Sequence, residues 1–129
     1  MEGWAPDTEG GFVALIGPTV TRVVDGVRQF GLVIGPQHLN RDGSLHGGMI
    51  AALFDHAIGI VASESSDAKR HVTIQLNTYF IGGGKSGDFV ELRSEVTWQT
   101  RSLLFMRGSC ICGERLLATA DGIWKKMRK

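Results

Sequence analysis

One carboxylate stands alone in the longest helical pattern of the chain. Residues 47–62 contain Asp55 but no Glu, Lys or Arg. At about 100° per residue, the Asp55 side chain lies about 160° from Leu53 and from Ala57, away from the apolar stripe. Its neighbours at three, four and seven positions are mostly Gly and Ala, so a ligand or another helix can approach. A carboxylate in such a place is suited to act as a general base or a nucleophile.

The loop before this helix holds a second group of candidates. Residues 40–48 read NRDGSLHGG. Gly47 and Gly48 fall at the predicted helix start, where unpaired N–H groups and the helix dipole favour negative charge. Without a side chain in the way, a carbonyl can approach, which predicts an oxyanion-stabilising site. Asn40 fits either a turn or a functional role, and His46 fits either a structural helix-start residue or a catalytic one.

The spacing of these two groups limits how they can cooperate. Gly47 and Asp55 are eight residues apart, which is about 12 Å along a helix. One carbonyl carbon cannot lie within about 3 Å of both groups on the same chain. Either the two groups serve different events, or a site combines Gly47 of one subunit with Asp55 of another.

Composition excludes several classes of protein. The 129 residues and net charge of +1 fit one domain, residues 1–129, and lack the basic footprint of a nucleic-acid-binding protein. No apolar run is long enough to span a membrane and no signal peptide is visible, so we expect a cytoplasmic protein. Cys110 and Cys112 are interpreted as reduced packing residues. A metal site at His46, Asp55 and His56 is disfavoured because their spacing does not converge on a helix.

The remaining pattern predicts an α+β fold with one long helix and about six strands. Residues 1–11 are expected to be loosely ordered, and residues 12–16 fit a helical turn or a strand equally well. Asp25-Gly26 predicts a tight hairpin. Strands joined by short turns form an antiparallel sheet, and the long helix packs on one face of it. The predicted strands are residues 19–24, 27–34, 71–81, 89–99, 103–112 and 116–127.

These residues resemble the hotdog-fold acyl-CoA thioesterases, and among them the phenylacetate-degradation (PaaI-like) type. The resemblance rests on the motif at 40–48, on Asp55 eight residues after Gly47, on the strand TIQLNTYF at 73–80 and on the Gly87-Asp88 turn. It covers roughly residues 28–125. It implies a curved antiparallel sheet wrapped around the central helix, and chains that pair into homodimers or homotetramers with sites at the subunit interface.

The resemblance also implies a reaction and residue roles. The reaction is hydrolysis of an acyl-CoA thioester to a carboxylic acid and free CoA, with no metal or organic cofactor. Asp55 would be the general base or the nucleophile, and the Gly47 N–H would polarise the carbonyl. Asn40 would orient the carbonyl or the water, His46 would shape the loop, and Thr73 would position the water.

The sequence does not determine which acyl group is bound, and it leaves two other functions open. Medium-chain and aryl-acyl groups both fit. Two alternatives stay open, a hotdog hydratase or dehydratase acting on acyl thioesters and a non-catalytic acyl-CoA-binding protein. The candidate substrate contacts are Gly48, Phe54, Ile58, Tyr79, Gly82 and Gly83.

Overall fold

A seven-stranded antiparallel sheet surrounds one long helix in the computed structural model, which describes residues 2–128. The strand order is β1-β2-β3-β5-β6-β7-β4. This confirms the predicted α+β class, and the seventh strand is a two-residue pairing that the sequence did not reveal. The elements are β1 (Ala5–Pro6), α1 (Phe12–Ile16), β2 (Thr19–Val24), β3 (Val27–Val33), a 3-10 turn (Pro36–His38), α2 (Gly47–Glu64), β4 (Arg70–Phe80), β5 (Phe89–Gln99), β6 (Leu103–Cys112) and β7 (Arg115–Met127).

The central helix α2 is buried along one broad face, which is wider than the predicted apolar stripe. Strands β3 to β7 all contact it, so apolar residues outside the predicted stripe are buried as well. Phe54 and Ile58 are both 0% exposed. They pack in the core, where a ligand at the surface of this chain does not reach them. This burial does not support the prediction that they contact the acyl group. Within residues 2–128, no helix has the length and apolar character needed to cross a membrane. The buried residues of α2 are Met49, Ile50, Leu53, Phe54, Ala57, Ile58, Val61 and Ala62.

The N-terminal segment is held in place, contrary to the expectation of loose order. β1 pairs with β2, and the Trp4 ring meets Phe89 edge-on at 5.3 Å between centroids. The Asp7 N–H donates to the Thr19 carbonyl at 3.0 Å. Residues 12–16, which the sequence left undecided, form α1. Order here comes from contacts with distant strands, which a local composition of Gly, Pro and acidic residues does not reveal.

Strand β4 lies at the edge of the sheet, where it pairs with β7 on one side only. Its register shifts between Thr73 and Gln75, which marks a bulge. Long apolar edge strands are templates for pairing with another chain. The exposed apolar residues of this strand and its end are Val72, Ile74, Tyr79, Phe80 and Ile81.

Candidate active site

Asp55 and Thr73 are in direct contact. The Thr73 hydroxyl donates to Asp55 Oδ1 at 2.7 Å, because α2 packs against β4 at this level. The Asp55 side chain is exposed and lines a pocket of about 320 Å³ between α1, α2, β4 and β7. One carboxylate oxygen is therefore held by a hydroxyl while the group remains open to a substrate.

A second polar pair lines the same pocket, and the sequence analysis did not identify it. Ser63 Oγ lies 3.2 Å from His71 Nδ1. Nε2 of His71 is buried and has no hydrogen-bond partner among the described residues. Burial, followed by the charges of Lys126 and Arg128, lowers the pKa of His71 and so favours the neutral ring. The sequence feature that could have identified His71 is its position two residues before Thr73, because that spacing puts both side chains on the same face of the strand.

Within the part of the chain that the structure describes, one backbone N–H at the start of α2 has no acceptor. His46 caps the helix, and its Nδ1 accepts a hydrogen bond from the Gly48 N–H at 2.8 Å. The hydrogen bonds formed among residues 2–128 include none from the Gly47 N–H. That N–H is therefore available to an oxyanion at the positive end of the helix dipole. His46 acts on the site through the helix cap, which agrees with its structural interpretation.

Asn40 builds the loop with its side-chain oxygen. Oδ1 accepts hydrogen bonds from the N–H groups of Asp42 and Ser44, both at 3.0 Å. The Asn40 N–H donates to the Ser44 carbonyl at 2.8 Å. Among the described residues no acceptor faces the side-chain amide nitrogen. The turn-forming role is thus accounted for by Oδ1, and the NH₂ group remains free to orient a substrate.

Substitution of Asn40 can separate these two uses. Asn40→Asp keeps the acceptor oxygens and removes the donor, so kcat/KM should fall about tenfold with little change in thermal stability. Asn40→Ala removes both and should add a stability loss of about 1 kcal/mol. Thiol release and thermal unfolding measure the two effects. An Asn40→Asp variant with full activity would leave the residue with the turn role alone.

The end of β4 and the glycines after it lie close to the start of α2. A Cβ at Gly47 would lie 3.3 Å from Cε1 of Phe80. A Cβ at Gly83 would lie 2.6 Å from Ser44 Oγ, a terminal hydroxyl that can rotate away, so this distance shows that the two loops are in close contact. Tyr79, Gly82 and Gly83 are exposed, and they remain predicted substrate contacts.

The structure therefore brings the candidates together in two groups rather than one. Asp55 and Thr73 form the first. The second lies at the start of the same helix, eight residues from Asp55, about 12 Å along its axis. Its members are Asn40, His46, Gly47 and Gly48, with Phe80 beside Gly47 and Gly83 beside Ser44. Tyr79 precedes Phe80 on β4, so its side chain points to the opposite face of the strand, and Gly82 lies beside Leu116 and Leu117.

The Cys110 thiol does not provide an alternative nucleophile. Cys110 is buried in the core, and this burial, with Cys112 nearby, raises the pKa of its thiol to about 12. At neutral pH the group is a thiol and packs as a small apolar residue. Both cysteines are free. Among residues 2–128, no three His, Cys, Asp or Glu side chains are grouped as they would be to hold a metal ion.

A family model and a protein of similar sequence both match this chain. A family model described as the thioesterase superfamily matches residues 42–119, more than half of the chain. A protein of Pseudomonas aeruginosa named as an esterase is 32% identical over 113 residues, which cover 85% of this chain and 84% of that protein. The family match includes Gly47, Asp55 and Thr73.

Solved structures share the fold. A thioesterase from Ralstonia eutropha, described as phenylacetic acid degradation-related, has a TM-score of 0.81 at 24% identity and covers 92% of both chains. A Streptococcus mutans protein bound to acetyl CoA has a TM-score of 0.73 at 22% identity, covering 78% of this chain and 81% of that one. The hotdog fold expected from the sequence is confirmed. The family match over more than half of the sequence shows that the chain belongs to the thioesterase superfamily.

Proposed function

We propose that the protein hydrolyses an acyl-CoA thioester to a carboxylic acid and free CoA. Thioester hydrolysis is the activity of the superfamily, and a relative of the same fold binds acetyl CoA. The observation that carries the proposal is the pair of groups on α2. A carboxylate held by Thr73 supplies a base or nucleophile, and a free N–H at Gly47 supplies an oxyanion donor.

These groups account for the bonds that must change. In the general-base route, Asp55 takes a proton from water as the water oxygen attacks the thioester carbon. The Gly47 N–H donates to the oxygen that becomes negative, and this donor matters most in the transition state. The C–S bond then breaks and the CoA sulfur leaves as a thiolate that takes up a proton. In the nucleophilic route, the Asp55 carboxylate attacks the same carbon and the C–S bond breaks, which releases the CoA thiolate and leaves an anhydride. Water then hydrolyses the anhydride to the carboxylic acid and regenerates Asp55.

The separation of about 12 Å along α2 favours a site shared by two chains. Phe80, at one end of β4, lies beside Gly47, whereas Thr73, near the other end, contacts Asp55. Strand β4 therefore runs antiparallel to α2, with one group at each end. The free edge of β4 is available to a second copy of the chain.

A two-fold axis would bring the complementary groups together. If β4 pairs antiparallel with β4 of a second copy, about an axis near Leu76 and Asn77, Thr73 comes opposite the partner's Phe80. The same operation places Asp55 near the partner's Gly47. Each dimer would then hold two equivalent sites, because the same pairing occurs twice about the axis. The exposed apolar side chains on β4 would be covered in that dimer.

Mixed dimers test the shared site. Asp55→Asn chains and Gly47→Pro chains, each inactive alone, are unfolded together and reassembled. Random pairing makes half the dimers mixed, and each mixed dimer has one intact site of two, so activity should recover to about a quarter of wild type. Differently tagged chains confirm that mixed dimers form. Mixed dimers without activity would place the whole site within one chain.

Thiol release from acetyl-, hexanoyl- and phenylacetyl-CoA tests the proposed activity itself. Release from at least one substrate supports hydrolysis, and the panel then gives the acyl class. Saturable binding of all three without thiol release would contradict hydrolysis and favour an acyl-CoA-binding protein. Hydration of an enoyl-CoA without thiol release would favour a hydratase.

A further inference from the structure

The N-terminal segment forms one wall of the Asp55 pocket. Glu9, Phe12 and Val13 line the pocket opposite residues of α2 and β4. This segment lies outside the part of the chain that resembles known thioesterases by motif, and outside the family match at 42–119. A segment that lines the pocket of the proposed reactive carboxylate is a candidate determinant of specificity.

The wall is held at its beginning by a hydrogen bond between Asp7 and His56. Asp7 Oδ2 lies 2.8 Å from Nε2 of His56, and their side chains are only 12% and 7% exposed. The Thr19 hydroxyl donates to the same oxygen at 2.9 Å. Burial alone raises the pKa of Asp7, but hydrogen bonds from His56, the Glu9 N–H and Thr19 outweigh it and lower that pKa. Asp7 is therefore held as a carboxylate against the residue that follows Asp55 on α2.

The wall is held at its end by the buried side chain of His38. His38 is 3% exposed, and its Nε2 lies 2.6 Å from the carbonyl of Ile16, the last residue of α1. Its Nδ1 accepts from the Gly35 N–H at 2.9 Å, so Nε2 carries the proton and donates. The His38 carbonyl accepts from the His46 N–H at 2.9 Å. The end of α1 is thus tied to the loop that starts α2.

The side chains that α1 turns to the pocket are apolar. Phe12 and Val13 line the pocket together with Ala52 and Ile60 of α2. Phe12 is 63% exposed, and a ligand in the pocket would cover its apolar ring. Leu15 of the same helix is 80% exposed but does not line the pocket. The apolar wall is therefore formed by one side of a helix of five residues.

The acyl group is the part of the substrate that fits this wall. A thioester carbonyl at Asp55 has two arms, the acyl group and the pantetheine of CoA. The pocket of about 320 Å³ is small for a ligand site and can enclose only a small group, whereas CoA must extend to solvent. We infer that Phe12 and Val13 contact the carbons of an apolar acyl group farthest from its thioester, and so select acyl groups longer than acetyl. This inference rests on the proposed hydrolysis at Asp55.

Phe12→Ala, with Leu15→Ala as the matched control, tests the inference on acetyl-, hexanoyl- and phenylacetyl-CoA. Phe12→Ala should lower kcat/KM about tenfold for the two longer substrates and change it less than about twofold for acetyl-CoA, which does not reach α1. Leu15→Ala should leave all three values unchanged. Asp7→Asn, which removes the charge beside His56, should change selectivity in the same direction. Equal loss on all three substrates, or no loss, in Phe12→Ala would overturn the inference and leave hydrolysis intact. Wild-type protein that releases no thiol from any substrate would overturn both.

Discussion

Asp55→Asn is expected to fold normally and to lose about a thousandfold in kcat. The side chain is exposed, and the amide oxygen of Asn can still accept the hydrogen bond that Thr73 now donates. The amide cannot take a proton from water or attack a thioester carbon. Thermal unfolding should therefore be unchanged while thiol release from acyl-CoA disappears.

Glu64→Gln is the matched control for this variant. Glu64 is another exposed carboxylate on α2, and it pairs with Arg28 at 3.1 Å at the surface. Exposed pairs of this kind contribute little to stability, so the control should keep wild-type kcat and nearly wild-type stability. If Asp55→Asn retained a kcat near that of wild type, Asp55 would be removed from the mechanism.

Gly47→Pro is expected to lower kcat by about two to three orders of magnitude. Proline removes the one N–H at the start of α2 that has no acceptor in the described structure. The backbone accepts proline here, because Gly47 is the first helical residue and His46 before it has φ −63° and ψ 135°. The loss should appear in kcat more than in KM, since the donor acts on charge that develops in the transition state.

Gly47→Ala isolates the N–H from the added bulk. It keeps the donor, and its Cβ would lie 3.3 Å from the exposed ring of Phe80, which can shift by a few tenths of an ångström. Alanine should therefore cost only a few-fold in kcat, whereas proline costs far more. Equal losses in both variants would mean that crowding by Phe80, rather than loss of a donor, explains the effect.

Local signals predicted most of the fold. The helix was expected over residues 47–62 and extends over Gly47–Glu64, because apolar periodicity and the absence of proline mark it. At the Asp25-Gly26 turn both residues have positive φ, 51° and 79°, as the tight hairpin signal requires. Strand bounds agree to within one residue, since turn residues delimit each strand.

What the sequence missed depends on contacts between distant residues. The Asp7–His56 pair joins residues 49 positions apart, and no periodicity reports it. The burial of Phe54 and Ile58 follows from a sheet that curves around α2, which an analysis of one helix face does not contain. His71 was visible as a strand residue, but its place beside Ser63 required the packing of β4 on α2.

The position of β4 has a consequence for how the protein becomes active during synthesis. Among residues 2–128 its one strand partner is β7, and residues 70–80 pair with residues 118–127. Contacts this far apart in sequence form slowly, because a long loop must close first. Thr73 therefore cannot be fixed against Asp55, nor Trp124 against the pocket, until β7 has left the ribosome. Asp55 is translated well before β7 but gains these neighbours only when β7 docks, so we expect chains truncated before β7 to lack the proposed activity.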